Sequence, residues 1–249
     1  MIIYPNAKIN IGLNIINKRK DGYHNISSFF YPLIDTFDIL EILPANSFSF
    51  SSTGIDIPGH DNICLKAYRI LKSDFNIPDV KIHLHKMIPI GAGLGGGSSD
   101  GAFTLKALNN MFDLGLTIKE LEEYALRLGS DCPFFIENTP KYVEGVGDKM
   151  ISSEIDLSNY NIRLISPDLH VSTDDAYAKI SINKEQSNLL QLIRRPIEEW
   201  KGVIVNDFEH NIFINHPDQR LVKKKLYEDG AIYVSMTGSG STFYGIFNR

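Results

Sequence analysis

Residues 89–102 read Pro-Ile-Gly-Ala-Gly-Leu-Gly-Gly-Gly-Ser-Ser-Asp-Gly-Ala, with five glycines between Gly91 and Gly97 and a helix-compatible run directly after them. Glycine has no Cβ, so its backbone takes positive φ and approaches a ligand closely. Successive bare N–H groups opening onto a helix N-terminus form a phosphate site. The stretch therefore suggests a cradle for nucleotide phosphates. Spacing narrows the kind. A Walker A loop is met by Gly91, Gly96 and Ser98, but Gly97 stands where its lysine belongs. The dinucleotide pattern G-x-G-x-x-G fits Gly91, Gly93 and Gly96, a weak match in so glycine-rich a run, and it needs a strand soon after the helix. Here a helix over about 98–111 is followed by a second helical run over about 117–128. A plain glycine linker would not lead into Ser98-Ser99-Asp100, which is N-cap chemistry.

Asp131 lies in Gly129-Ser-Asp-Cys-Pro133, just past that second helical run and stiffened by Pro133. A carboxylate on a short loop can accept a proton from a substrate hydroxyl; a turn aspartate bonding its own backbone is the plainer reading. Lys8 and Asn10 share the polar face of the first strand. A lysine there can orient a carboxylate or stabilise charge on a transferring group; a solvated strand face is the alternative. Tyr23 and His24 follow a turn, where an aromatic face and a ring nitrogen could hold a planar base, or simply flank a hairpin. Gly238 and Ser239 belong to a second small-residue loop, Thr237-Gly-Ser-Gly-Ser241, which either lets backbone approach a ligand or closes a hairpin.

The elements that must position these groups follow from periodicity. Ala7, Ile9, Ile11, Leu13 and Ile15 alternate with Lys8, Asn10, Gly12 and Asn14, the pattern of a half-buried strand. Lys20-Asp21-Gly22 supplies turn chemistry, with a second strand over about 26–31. Further strands are expected over 37–43, 48–51 and 80–86, the last feeding the glycine loop. Asp61 or Asn62 caps a helix over about 63–71. In the second half, strands are expected near 161–166, 231–236 and 242–247. Ser172-Thr173-Asp174-Asp175 resembles a capping box, and a helix over 217–228 ends at Gly230. A polar stretch near 150–159 marks a seam, dividing the chain into 1–155 and 156–249.

The 249 residues are 43% hydrophobic and 22% charged, a globular composition with room for one large domain or two. The net charge of −5, with no long basic run and a short basic cluster at Lys223–Lys225, argues against a nucleic-acid partner. Cys64 and Cys132 have no metal-ligand spacing and suit a reducing cytoplasm. No signal peptide and no membrane span is expected.

Together these segments resemble the GHMP kinase family. Pro89–Ser99 resembles its ATP-binding motif P-x-x-x-G-L-G-S/G-S-S, and Thr237–Ser241 its later glycine-rich motif. Ala7-Lys-Ile-Asn10, Asp21-Gly-Tyr-His24, and Gly129-Ser-Asp-Cys-Pro133 followed by Glu144-Gly-Val-Gly-Asp148 are most similar to the branch acting on 4-diphosphocytidyl-2-C-methyl-D-erythritol in the non-mevalonate route to isoprenoids. The resemblance runs from Lys8 to near the C-terminus, and Asp-Gly-Tyr-His is its most specific part. It implies an α+β, two-domain fold, with an N-terminal domain like the second domain of ribosomal protein S5 and a ferredoxin-like C-terminal domain. It implies transfer of the ATP γ-phosphoryl group, with Mg²⁺, to the 2-hydroxyl of that alcohol, in the cytoplasm, by a monomer or homodimer.

By carry-over, Asp131 and Lys8 match the catalytic pair. Pro89, Ile90, Gly91, Ala92, Gly93, Leu94, Gly95, Gly96, Gly97, Ser98, Ser99 and Asn62 match the ATP side. Asn10, Tyr23, His24, Thr173, Tyr177, Gly238 and Ser239 match the substrate side, and no metal ligand beyond Ser98 or Ser99 suggests itself. The chain departs from the family in Lys20, where proline is usual, Asn25, where an acid is usual, and Gly101, where alanine is commoner. It is also somewhat short, which implies trimmed loops in the C-terminal half. None of these departures touches a catalytic group. A different GHMP-type kinase, acting on mevalonate, homoserine or a sugar, and a non-catalytic nucleotide-binding protein are the alternatives.

Overall fold

A computed structural model describes residues 1–59, 62–169, 172, 176, 177, 180 and 188–249. Its strands are β1 (Ile2–Ile3), β2 (Asn6–Lys18), β3 (His24–Phe37), β4 (Ile39–Pro44), β5 (Ser49–Gly54), β6 (Val80–Lys86), β7 (Lys141–Gly145), β8 (Lys149–Ser152), β9 (Tyr160–Ile165), β10 (Tyr233–Met236) and β11 (Phe243–Asn248). Its helices are α1 (Ile63–Phe75), α2 (Gly96–Met111), α3 (Ile118–Leu126), α4 (Phe134–Glu137), α5 (Leu189–Leu192), α6 (Phe208–Asn215) and α7 (Gln219–Glu228), with a short 3-10 turn at Ile197–Glu199. The chain divides into two compact units made of interleaved stretches. The first comprises Met1–Lys8, Pro32–Ile90 and Gly95–Thr139; the second comprises Ile9–Tyr31, Gly91–Leu94 and Pro140–Arg249.

The first unit holds a four-stranded sheet in the order β1-β4-β6-β5, antiparallel except for the parallel β5–β6 pair. Alternation decides its faces: Val80, Ile82 and Leu84 of β6 are buried and Lys81 between them is exposed. Helices α1, α2, α3 and α4 pack together in this unit. Their starts are set by side chains. Asn62 caps α1, its Oδ1 accepting from the Cys64 N–H at 2.7 Å. Thr117 and Glu120 form a reciprocal capping box at α3.

The second unit carries a sheet in the order β10-β11-β9, antiparallel throughout, and most of a sheet in the order β2-β3-β7-β8. Its core joins Leu13, Ile15, Ile26, Phe208, Ile212, Leu226, Val234, Met236 and Phe243. Along α7 the expected basic cluster is neutralised: Lys223 pairs with Glu209, Lys224 with Glu228 and Lys225 with Asp229. The Lys224 and Lys225 pairs are exposed and one turn apart, the pattern of a solvated helix face, whereas Lys223 reaches the buried Glu209 of α6. No helix among the described residues is long and apolar enough to cross a membrane.

One strand differs from expectation. The first-strand pattern predicts one wet face, yet β2 is buried on both. Lys8 is 3% exposed, Asn10 1% and Asn14 6%. Alternation of residue type shows which face is polar; it does not show that the polar face is wet, and here polar partners from the rest of the chain cover it. The expected capping box at 172–175 lies largely outside the described residues, and Thr173 with it.

Candidate active site

The glycine loop is anchored by Ala92 and Leu94, 7% and 1% exposed, while the glycines between and beside them are less buried. Gly91, Gly93 and Gly95 have φ of 67°, 79° and 69°. A left-handed residue at every second position turns successive N–H groups to one side, the geometry of an anion-binding nest. At Gly93 nothing larger fits, because an added Cβ would lie 2.1 Å from the Thr237 carbonyl oxygen. Gly93→Ala is therefore expected to cost about 1–2 kcal/mol from its φ alone, with more from the collision. Thermal unfolding checks it: Tm falls by at least ~2 °C for a chain of this size, and an unchanged Tm shows that the loop yields freely.

Gly95 is the N-cap of α2, in the left-handed conformation and with no side-chain cap. The helix starts at Gly96, two residues before the expected Ser98, and Ser98 and Ser99 lie inside its first turn. Hydroxyl capping is thus not what starts this helix. The consequence favours binding, since the first amides of a helix have no intrahelical acceptor and stay available to an anion. Ser99 is fully buried, and its Oγ has no hydrogen-bond partner among the described residues.

The approach to this loop rests on a charged cluster that the sequence motifs do not contain. Lys86 Nζ lies 2.5 Å from Asp38 Oδ2 and 2.7 Å from Asp100 Oδ2. Asp38 Oδ1 accepts the N–H groups of Met87 and Ile88 at 2.6 and 2.8 Å. All three charged side chains are at most 3% exposed. Burial alone would lower the Lys86 pKa, but the carboxylates of Asp100 and Asp38 outweigh it and hold Lys86 above its ordinary value. Burial also raises the Asp100 carboxyl. Asp38 thereby fixes two consecutive peptides just before the loop, and Asp100 ties the same ammonium to α2.

Lys8 and Asp131 meet in the first unit. Lys8 Nζ stands 3.4 Å from Asp131 Oδ2, with the lysine side chain 4% exposed and the aspartate 31%. A buried ammonium thus faces a carboxylate that remains open to a ligand. The Lys8 stem runs beneath the loop: a Cβ on Gly95 would meet Lys8 Cγ at 3.0 Å and Lys8 Cε at 3.1 Å. Asp131 sits on the turn between α3 and α4, where Cys132 N–H bonds back to the Gly129 carbonyl at 3.2 Å. The neighbouring Cys132 thiol is pushed up to about 12 by burial, so it stays protonated. Asp131 is then the group on this turn equipped to take a proton.

In the second unit the rings of His24 and Tyr177 stack at 4.9 Å with an interplanar angle of 22°. Tyr177 also meets Phe208 in an edge-to-face pair at 4.9 Å and 89°. Burial, then the Lys18 charge, lowers the His24 pKa, which favours the neutral ring. The turn before it is pinned by the Arg19–Asp21 ion pair at 2.8 Å and by the Tyr23 N–H donating to Asp21 Oδ1 at 3.2 Å. Tyr23 itself is 67% exposed. Asn10 is engaged with protein: its Nδ2 donates to Ser28 Oγ, its Oδ1 accepts from the Gly238 N–H, and its backbone N–H donates to Thr237 Oγ1. The one Thr237 hydroxyl proton goes to the Gly93 carbonyl at 3.0 Å. The second glycine loop is thus built against the first. Asn206, which no motif suggests, holds that second loop from behind.

This geometry has relatives. The family model for the GHMP kinases N terminal domain matches residues 62–138, and that for GHMP kinases C terminal matches residues 187–249. The chain belongs to the GHMP kinase family and has its two-domain α+β fold. Within that family it is 49% identical to a 4-diphosphocytidyl-2-C-methyl-D-erythritol kinase of Azobacteroides pseudotrichonymphae genomovar. CFP2, over 100% of this chain and 94% of the relative. A protein of the same name from Cytophaga hutchinsonii is 48% identical, over 100% of this chain and 93% of its own. A crystal structure of 4-(cytidine 5'-diphospho)-2C-methyl-D-erythritol kinase superposes with a TM-score of 0.82 at 29% identity, covering 99% of this chain and 90% of that one.

Proposed function

We propose that this chain transfers the γ-phosphoryl group of ATP to the 2-hydroxyl of 4-diphosphocytidyl-2-C-methyl-D-erythritol. The observation that carries the reading is the Lys8–Asp131 pair, 3.4 Å apart, with the Lys8 stem running beneath the glycine loop at Gly95. Phosphoryl transfer asks a protein mainly for positioning and charge stabilisation. Here the amides of the Gly91–Gly97 loop and the first turn of α2 hold phosphate oxygens, and the helix N-terminus adds about half a positive charge. Asp131 takes the proton of the attacking hydroxyl, and the Lys8 ammonium aims the carboxylate. Mg²⁺ neutralises phosphate charge when bound, and it prefers oxygen ligands. Among the described residues no cluster of three His, Cys, Asp or Glu side chains is placed to hold a metal; Ser98 and Ser99 at the start of α2 would hold the ion, which would supply charge neutralisation for the phosphates. Asn62 serves the adenine side.

Specificity is assigned to the cytosine. Tyr23 and the Tyr177 face not covered by His24 stack on the cytosine, and His24, whose lowered pKa favours the neutral ring, bonds its edge. The test is ADP release with Mg-ATP and the cytidylyl substrate, beside the same alcohol without its cytidylyl group and beside mevalonate, homoserine and a sugar. Turnover confined to the cytidylyl substrate supports the assignment; turnover on one of the others discards it and keeps the family. Tyr177→Ala is expected to raise the KM for the cytidylyl substrate about tenfold, since base–aromatic stacking is worth about 1–3 kcal/mol, while the KM for ATP holds. An unchanged substrate KM removes Tyr177 from the base site.

A further inference from the structure

Asn206 is 2% exposed and uses its whole amide. Its Nδ2 donates to the Met236 carbonyl at 2.8 Å and to the Gly238 carbonyl at 2.9 Å, and its Oδ1 accepts the Phe208 N–H at 3.0 Å. The backbone carrying it is fixed independently. Leu13 N–H donates to the Val205 carbonyl, Asp207 N–H to the Leu13 carbonyl, and Ile15 N–H to Asp207 Oδ2 at 2.7 Å. A rigid amide therefore grips both peptides at the point where β10 ends and the loop 237–241 begins.

That grip has a direction. In a trans peptide the C=O and the following N–H point to opposite sides. Turning the Gly238 carbonyl to Asn206 turns the Ser239 N–H away from it. The same loop packs face to face with the phosphate loop: Gly238 would approach the Gly93 Cα within 2.9 Å if it carried a Cβ, and Thr237 Oγ1 holds the Gly93 carbonyl. Carbonyl oxygens left free beside a phosphate site would repel an anion, and Asn206 captures two of them.

We infer that Asn206 is a positioning residue for nucleotide binding, acting through the Met236–Gly238 backbone on Gly93. This rests on the reading of the glycine loop as a phosphate site. Asn206→Asp is nearly isosteric and keeps the acceptor for Phe208, but it sets a carboxylate against two carbonyl oxygens. Asn206→Ser keeps one donor in less volume.

The experiment measures direct equilibrium binding of a non-hydrolysable ATP analogue, together with kcat and both KM values, for the wild type and both variants. Measurements are made well below each Tm, with folding checked by circular dichroism. Asn206→Asp is expected to weaken nucleotide binding about tenfold or more, equal to about 1.4 kcal/mol, with the alcohol KM within about threefold and Asn206→Ser intermediate. Lowering the pH from about 8 to about 6 partly restores Asn206→Asp, because a carboxyl in this buried position takes up a proton readily and then donates one bond. A merely structural role moves Tm and leaves these constants and the pH profile alone, and that result overturns the proposal. So do a rise confined to the alcohol KM, and loss of folding in both variants. Failure of the wild type to bind nucleotide would instead sink the reading of the site. Turnover of a different alcohol by the wild type leaves this inference standing, since its binding readout needs no acceptor.

Discussion

Asp131→Asn is expected to lower kcat by about 10²–10⁴, the usual worth of a positioned general base. The substitution keeps shape and removes the negative charge, and with it the ability to take a proton. The side chain is about one-third exposed, so the amide needs no new buried partner. Lys8 will face a neutral oxygen in place of a carboxylate, which weakens an ion pair without breaking the packing of the lysine stem under Gly95. The loss should therefore fall on kcat, with the KM for ATP within about threefold and Tm within a few degrees. Lys8→Met tests the same pair from the other side. It too should lower kcat, and the double variant should lose far less than the product of the two single losses, because residues that act as a unit are not additive. Coupled ADP release at saturating substrates measures both. A variant Asp131→Asn with near-normal turnover would show that the hydroxyl loses its proton elsewhere.

What was legible in the sequence was the chemistry that depends on contiguous residues. The glycine run pointed to a loop with its amides turned outward, and the left-handed φ values at Gly91, Gly93 and Gly95 are those of such a loop. Asp131 on its proline-stiffened turn was legible as a possible base, but as no more than that; its partnership with Lys8 came from family resemblance. Lys8 looked solvated because strand alternation reports polarity and not burial. The helix start was misplaced by two residues because Ser98 and Ser99 carry capping side chains, while a left-handed glycine does the capping. Asp38, Lys86 and Asp100 were illegible for a different reason. They lie 48 and 14 residues apart and are brought together by the register of β4 against β6 and by the seat of α2. Asn206 is illegible in the same way, since its partners stand 30 and 32 residues downstream. Asn-Asp-Phe-Glu at 206–209 is nevertheless a polar run that turns out almost wholly buried, and a buried polar residue must be satisfied by something.

That buried cluster carries the second large effect. Lys86→Met removes the ammonium from between Asp38 and Asp100 and leaves two carboxyls in a site with almost no access to water. Breaking a buried ion pair by deleting one partner typically costs about 3–5 kcal/mol, since the remaining charge keeps its desolvation penalty. For a chain of this size that is a fall in Tm of about 6–20 °C. The pH dependence fixes the cause. Burial already raises the Asp100 carboxyl in the native protein, and loss of Lys86 takes away the charge that opposed the rise. A carboxyl whose native pKa exceeds its unfolded value of about 3.9 favours the native state while protonated, and destabilises it as pH climbs from there towards the native pKa. The gap between Lys86→Met and wild type should therefore be smaller near pH 5 than near pH 8. Asp38→Asn should be milder, because the amide oxygen still accepts from Met87 and Ile88 and the charge it removes leaves Lys86 with Asp100. Urea unfolding at the two pH values decides the matter. A deficit below about 1 kcal/mol, equal at both, would mean that water reaches the cluster and that the approach to the glycine loop is held by packing, with the ion pairs contributing little.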